Sequence, residues 1–315
     1  MTKKVVTITL NPALDLTGAI ETLNVGSVSL VSESDLHAAG KGVNVAKVLS
    51  DLGAEVTVTG FLGKDNQEPF CQLFDEMNAK DEFVRVNGAT RINVKLVEEN
   101  GEVSDINFPG VTVTPIEIEQ FERTLERLAK DHEYFVMAGS LPKGVSPSLC
   151  ASWIEKLHEL GKKVMFDSSR DALTAGLDAK PWLIKPNDEE LSYFVGKELS
   201  TIDECKAAAA TLASKNIDNI VVSMGANGVM WLNNNEWLRA QPPRMQVVST
   251  VGAGDTLVAG LCWGHMQEMP KEELLTFATA LSALAVTQVG VGMSDAKELA
   301  TLQQQVQLHS SEASN

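Results

Sequence analysis

The sequence predicts an α/β fold, with a mostly parallel central sheet covered by helices on both faces. Three observations carry this expectation. Short runs rich in β-branched residues alternate with longer segments whose apolar residues recur at helical spacing. The short runs are apolar throughout, as strands buried on both faces require. The length of 315 residues, with 44% hydrophobic and 22% charged positions, suits one globular domain with a small appendage.

Residues 5–10 read as the first strand. The run is too short for a leader core and lacks a small-residue cleavage site, so a cytoplasmic protein is expected. Residues 43–52 read as a helix, because Val45, Val48, Leu49 and Leu52 fall at i, i+3, i+4 and i+7 and Gly53 offers a stop. A strand over 55–60 follows. A helix over 116–130 precedes a strand over 134–137, and a helix over 147–160 precedes a strand over 163–167. Residues 182–184 form a short strand ending in a Lys-Pro-Asn corner. A helix over 203–215 leads to a strand over 220–223, and helical patterns over about 254–266 and 271–288 follow.

Two segments break this alternation. Residues 16–36 alternate apolar and polar positions around Val25, Val28 and Leu30. Within 84–108, Ile92, Val94 and Leu96 alternate with Arg91, Asn93 and Lys95, and Asn100-Gly101 signals a tight turn. Neither segment brings a helix to cover its second face. A small separate sheet is expected, serving as a lid or as a clasp between subunits. Residues 303–315 are rich in Ser, Gln and Asn and are expected to be disordered, which leaves 1–302 as the folded domain.

The net charge of −16 argues against nucleic acid and acidic membrane surfaces as partners. No stretch approaches the roughly 18 uninterrupted apolar residues of a membrane span. The four cysteines, Cys71, Cys150, Cys205 and Cys262, are widely separated, with no Cys-x-x-Cys pair, and read as reduced buried thiols.

The chemistry concentrates where glycines precede helices. Ser249-Thr250-Val251-Gly252-Ala253-Gly254-Asp255-Thr256 opens a helix with bare backbone N–H groups, a pocket for developing negative charge. Asp255 behind that pocket could orient a nucleophilic hydroxyl, or could simply cap the helix. A helix N-terminus lowers a carboxylate's pKa, so Asp255 is expected to be a weak base. The segment is neither a Walker loop nor a dinucleotide fingerprint, being near the wrong end of the chain for the latter.

Ala38-Ala39-Gly40-Lys41-Gly42-Val43-Asn44 is a second glycine-rich helix start, with Lys41 suited to a phosphate and Asn44 to hydroxyls. Asn11-Pro12-Ala13-Leu14-Asp15 follows the first strand, and Asp15 could take two sugar hydroxyls. In Lys185-Pro186-Asn187-Asp188-Glu189-Glu190, Asn187 and Glu190 offer two oxygen ligands one helical turn apart, suited to Mg²⁺ held through water or to a plain helix cap. Ser223-Met224-Gly225-Ala226-Asn227-Gly228 could wrap a nucleotide or turn a hairpin.

These pieces in this order resemble the ribokinase-like carbohydrate kinases, in particular the phosphofructokinase B group. The resemblance runs from about Val5 to about Gly292, and Gly139-Ser140-Leu141-Pro142 and Thr90-Arg91-Ile92-Asn93 belong to it. It implies a three-layer sandwich with about eight central strands and a small β-lid that in many relatives pairs with a second subunit. It implies ATP and Mg²⁺ as cofactors and a phosphorylated ketohexose as substrate. Fructose 1-phosphate, phosphorylated at the 6-hydroxyl, is favoured over tagatose 6-phosphate or fructose 6-phosphate.

By the same resemblance Asp255 is the base, and Gly252, Ala253 and Gly254 form the anion hole. Asp15, Gly40, Asn44 and Asn93 hold or read sugar hydroxyls, and Lys41, Arg91 and Ser140 the substrate phosphate. Lys185 and Asn187 reach the ATP phosphates, Glu190 acts through water on Mg²⁺, and Ser223, Gly225, Ala226 and Gly228 line the nucleotide site. From other classes, a nicotinamide-dependent oxidoreductase or a non-catalytic sugar-phosphate-binding regulator would use the same glycine-rich turns.

Overall fold

The computed structural model describes residues 3–312 apart from 214 and 294. In the first strand, β1 (Lys4–Thr9), Val5 enters one hydrophobic core while Val6 and Ile8 enter another. Both sides are dry, which is why the run reads as uniformly apolar. The chain then leaves as β2 (Ala13–Ile20) and β3 (Glu33–Ala39) and returns as α1 (Lys41–Asp51). β4 (Glu55–Gly63), α2 (Glu68–Glu76), β5 (Lys80–Asp81) and β6 (Val84–Val86) precede a second excursion, the hairpin β7 (Arg91–Glu98) and β8 (Val103–Asn107).

A regular alternation follows. It runs through α3 (Pro115–Leu128), β9 (Tyr134–Ala138), α4 (Pro147–Glu159), β10 (Lys163–Asp167) and α5 (Arg170–Asp178). It continues with β11 (Leu183–Ile184), α6 (Asp188–Val195), α7 (Ile202–Ala213) and β12 (Asn219–Ser223). β13 (Val229–Asn233) and β14 (Glu236–Gln241) then turn antiparallel. The last elements are α8 (Ala253–Met266), α9 (Lys271–Ala285), α10 (Ala296–Gln305) and β15 (Gln307–Glu312).

The helix starts have local causes. Pro115 and Pro147 occupy first helical turns, behind Thr114 and Ser146 at the caps, where a missing N–H costs nothing.

The main sheet has 11 strands in the order β15-β14-β13-β12-β11-β10-β9-β1-β4-β5, with β6 also on β4. This exceeds the roughly eight expected because short pieces and an antiparallel flank extend it. From β12 through β1 to β5 the pairing is parallel, and the three outer pairs from β12 to β15 are antiparallel. α1, α2, α8, α9 and α10 bury their apolar residues on one face, and α3 to α7 on the other, giving three layers. Strand order reverses at β1, between β4 and β9. Crevices at the carboxyl ends of such switch points are where doubly wound sheets bind ligands.

The expected small sheet exists, in the order β3-β2-β7-β8, with shifted bounds. It starts at Ala13, and Val84–Val86 pairs with Phe61–Gly63 of the main sheet instead. Its two faces differ. Asp15 is in register with Asn93 on one side and His37 on the other, and Thr17 with Lys95, forming a polar face. Leu16 faces Leu36, and Val94 faces Ile106, forming an apolar one. Leu36 and Ile106 remain 46% and 48% exposed. Val25, Val28 and Leu30 lie in the exposed loop between β2 and β3, not in a strand.

The expectation of disorder over 303–315 is corrected. Residues 303–305 complete α10, and Gln307–Glu312 pairs in register with Gln241–Glu236. α10 buries only Leu299 and Leu302, too few to mark a helical period. β15 is held by backbone pairing to an open sheet edge, which needs no apolar composition. Residues 313–315 lie outside the described residues.

Candidate active site

The carboxyl ends of five parallel strands converge on one edge. Asn11 follows β1, Gly139 follows β9, Asp167 ends β10, Lys185 follows β11 and Ser223 ends β12. The N-termini of α1 and α8, two helices packed against each other on one face of the sheet, meet at the same edge, where their first turns are joined by a side-chain hydrogen bond.

At α8, Gly252 caps the helix with φ +79°, a left-handed conformation that favours glycine, and a side chain there would collide with Val291. Asp255 sits in the first turn and is 6% exposed. Its Oδ2 accepts a 2.7 Å hydrogen bond from Asn44 Nδ2, so the two glycine-rich motifs meet although 211 residues apart. Burial raises the Asp255 pKa to about 6, with the Asp167 charge adding to the rise. Lys41, the Asn44 hydrogen bond and Lys185 offset this only in part. The expectation of a weak, low-pKa base is therefore corrected: dehydration outweighs the helix dipole here. Asp255 is ionised at neutral pH and can accept a proton.

Asp167, 2% exposed, is the hub of the charges beside it. Its Oδ1 lies 3.3 Å from Lys41 Nζ and 3.7 Å from Lys185 Nζ. Burial alone would lower the Lys41 pKa, but Asp167, then Glu190 and Asp255, outweigh it and hold the ammonium well above its ordinary value. Lys185 is only 3% exposed, and its Nζ stands 3.7 Å from where a Cβ on Gly254 would lie, so the bare turn leaves it room.

Glu190 and Asn187 form a reciprocal cap on α6: Asn187 Oδ1 accepts from the Glu190 N–H at 2.7 Å, and Glu190 Oε2 accepts from the Asn187 N–H at 3.0 Å. The cap and the ligand reading are compatible, since Glu190 Oε1 still reaches within 3.8 Å of Lys41. Asn187 bridges to Ser223, which begins the hairpin turn through Gly225, Ala226 and Gly228 between β12 and β13. Gly228, at φ +92°, has no room for a side chain because the Ala240 carbonyl lies against it.

A second group lies under the small sheet. Arg91 donates through Nη2 to the Asn11 carbonyl at 3.0 Å and to Ser140 Oγ at 3.4 Å, and Asn11 Nδ2 donates to Ser140 Oγ at 3.1 Å. Asp15 accepts from Asn93 Nδ2 at 3.1 Å and from Lys95 Nζ at 2.7 Å. Gly40, at φ +132°, lets the chain pass close to Thr9 and Pro12 on its way into α1. The side chains thus separate Lys41, which joins Asp167 and Glu190, from Arg91, which joins Asn11 and Ser140.

Three residues escaped the sequence reading: Asp167, Asn11 and Lys95. Asp167 had a readable signal, an acid closing an apolar strand. Lys95 looked like the polar half of an alternation. The four cysteines are free, with Cys71 only half-buried, so the reading of all four as buried thiols is corrected at that position. Among the described residues no helix is long and apolar enough to cross a membrane.

A doubly wound sheet that gathers a buried carboxylate, two lysines and a glycine-rich helix start at its switch point has the arrangement of enzymes that move phosphoryl groups onto small alcohols. The chain is a member of the pfkB family of carbohydrate kinases, whose family model matches residues 4–298. It is 73% identical to the 1-phosphofructokinase of Vibrio cholerae serotype O1 over 308 residues, covering 98% of this chain and 97% of that one. It is 48% identical to the Escherichia coli K12 1-phosphofructokinase over 309 residues, covering 98% and 99%. Phosphofructokinase-2 from Escherichia coli superposes with a TM-score of 0.89 at 26% identity, over 97% of this chain and 99% of that one. The fold is therefore ribokinase-like, and the family's phosphoryl donor is ATP. The oxidoreductase and non-catalytic readings are set aside.

Proposed function

We propose that this protein transfers the γ-phosphoryl group of ATP to the 6-hydroxyl of fructose 1-phosphate, giving fructose 1,6-bisphosphate and ADP. The observation that carries the reading is Asp255: a buried, ionised carboxylate bonded to Asn44 and backed by the Gly252–Gly254 turn. The likeness to the Vibrio cholerae 1-phosphofructokinase supports the choice of substrate.

In this reading Asp255 aims the 6-hydroxyl at the γ-phosphorus. The transition state is loose, so alignment and neutralisation outweigh early proton removal. A pKa of about 6 suits a base that takes its proton late and yet is charged at pH 7. The N–H groups of Gly252 and Gly254 meet the charge that develops on the transferred group, and that of Ala253 joins them on leaving its 3.3 Å bond to the Thr250 carbonyl. Lys185 and Lys41 flank its path, and Arg91 with Ser140 holds the sugar's own phosphate. Asn187 reaches the ATP phosphates, and Ser223, Gly225, Ala226 and Gly228 line the nucleotide side. Asp15, Gly40, Asn44 and Asn93 hold the hydroxyls.

The residues also fit Mg²⁺ held chiefly by water and phosphate oxygens. Among the described residues no three His, Cys, Asp or Glu side chains form a cage. Asp167 does carry a buried Oδ2 with no hydrogen-bond partner, and Glu190 keeps one oxygen beyond its cap. When bound, the ion would neutralise phosphate charge, with Asp167 and Glu190 holding its waters.

The exposed apolar face of the small sheet supports a homodimer joined through these lids. An ATP-consuming reaction and four free thiols suit the cytoplasm. Phosphorus NMR of the product tests the proposal. New phosphate on C6 of fructose 1-phosphate is expected, and no turnover of fructose 1-phosphate, or phosphate on another carbon, overturns it.

A further inference from the structure

We propose that Lys95 sets the choice between 1-phosphate and 6-phosphate ketohexoses, as a positioning residue acting through Asp15 and Asn93. The inference rests on the phosphosugar reading above and deepens it.

Arg91, Asn93 and Lys95 alternate along β7, so all three point to the polar face of the small sheet. Lys95 Nζ lies 2.7 Å from Asp15 Oδ2, with the two side chains 17% and 10% exposed. Asp15 is thereby held from one side. Its other oxygen, Oδ1, accepts from Asn93 Nδ2 at 3.1 Å. An ionised carboxylate can only accept, so Asn93 must turn its NH₂ toward Asp15. That fixes the opposite end of the amide, Oδ1, as an acceptor, and this atom is buried with no hydrogen-bond partner. An unpaired buried acceptor is costly and is met by a donor supplied from outside. A sugar hydroxyl is such a donor.

The orientation of one amide thus depends on a chain from Lys95 to Asp15 to Asn93. The two phosphate isomers of fructose can enter the site in opposite senses, each presenting a free arm to Asp255. They then differ in whether the C2 hydroxyl lies beside the phosphate arm or beside the acceptor arm. A fixed acceptor pairs with that hydroxyl in one isomer and stays unpaired in the other, which is the situation that gives strong discrimination. Lys95 also offsets the charge of Asp15, which must share the site with a phosphate dianion. Without it, Asp15 is free to swing and Asn93 to flip, and the distinction fades.

The test is the ratio of kcat/KM for fructose 1-phosphate to that for fructose 6-phosphate, in wild type, Lys95→Met and Lys95→Arg. Lys95→Met is expected to lower the ratio at least about 10-fold, with KM for ATP within about twofold of wild type. Lys95→Arg, which keeps the charge, is expected to retain most of the ratio. Lys95 lies outside both hydrophobic cores, so the fold should survive. Lys95→Gln serves as a second neutral variant if Lys95→Met does not fold. An unchanged ratio in the neutral variant overturns the inference, as does an equal loss for both isomers, the mark of a merely structural role. The wild-type ratio is read separately: a value below one overturns the proposed substrate, whereas the change on substitution tests Lys95 whichever isomer is preferred.

Discussion

Asp255 is held ionised against its surroundings, and this has two measurable consequences. Its pKa is raised from 3.8 to about 6, so the charged form costs the folded state about 3 kcal/mol at neutral pH. Asp255→Asn should lower kcat at least roughly 100-fold with ATP affinity little changed. The same variant should melt several degrees higher at pH 8. The sign follows from the direction of the shift. Between pH 3.8 and about 6 the folded state binds the extra proton, so the penalty grows across that window as pH rises, is complete above about 6 and vanishes below about 4. A variant that keeps its kcat contradicts the base role, and one that melts lower at pH 8 contradicts the burial cost.

For the wild type, kcat at saturating substrates should fall on the acid side with a midpoint at or above about 6, since bound phosphates push the group further up. At saturation the ionisation of the free substrate phosphate, which also titrates near 6, drops out of kcat. A kcat that stays flat down to pH 5 speaks against Asp255 as the titrating group. The two cations that the sequence could not tell apart also separate at this scale. Arg91→Ala should raise the phosphosugar KM about 10- to 100-fold, whereas Lys41→Ala should act mainly on kcat, because Lys41 faces Asp167 and Glu190. Equal KM losses for the sugar in both variants would return Lys41 to the sugar phosphate.

At the scale of elements, the small sheet decides most. Its polar face carries Asp15, Asn93 and Lys95, and its outer face exposes Leu36, Ile92 and Ile106. A charge on the β8 edge of that outer face, Ile106→Asp, should convert a dimer to a monomer in sedimentation at micromolar concentration and raise the phosphosugar KM. A wild type already monomeric at full activity would leave the lid without a clasp.

The alternation of Ile92, Val94 and Leu96 made β7 legible, and β-branched runs did the same for the buried strands. The helix starts that carry Gly40 to Asn44 and Gly252 to Asp255 were legible because glycine has few other reasons to cluster there. What was not legible came from elsewhere in the fold. β15 is ordered by the edge it pairs with and α10 by two leucines, and although the acid that closes β10 was readable, its two lysine partners, 126 and 18 residues away, were not.

At the scale of the whole molecule, a chain of net charge −16 must bind two polyanions. In the proposed reading Lys41, Lys185 and Arg91 meet them together with a helix N-terminus at the carboxyl edge of the sheet, and burial strengthens the field of Lys185 most. One panel decides whether this edge is built for fructose 1-phosphate: kcat/KM with ATP for fructose 1-phosphate, fructose 6-phosphate and tagatose 6-phosphate, followed by ADP release. Fructose 1-phosphate is expected to give the highest value, by about 100-fold. A higher value for either 6-phosphate would contradict it.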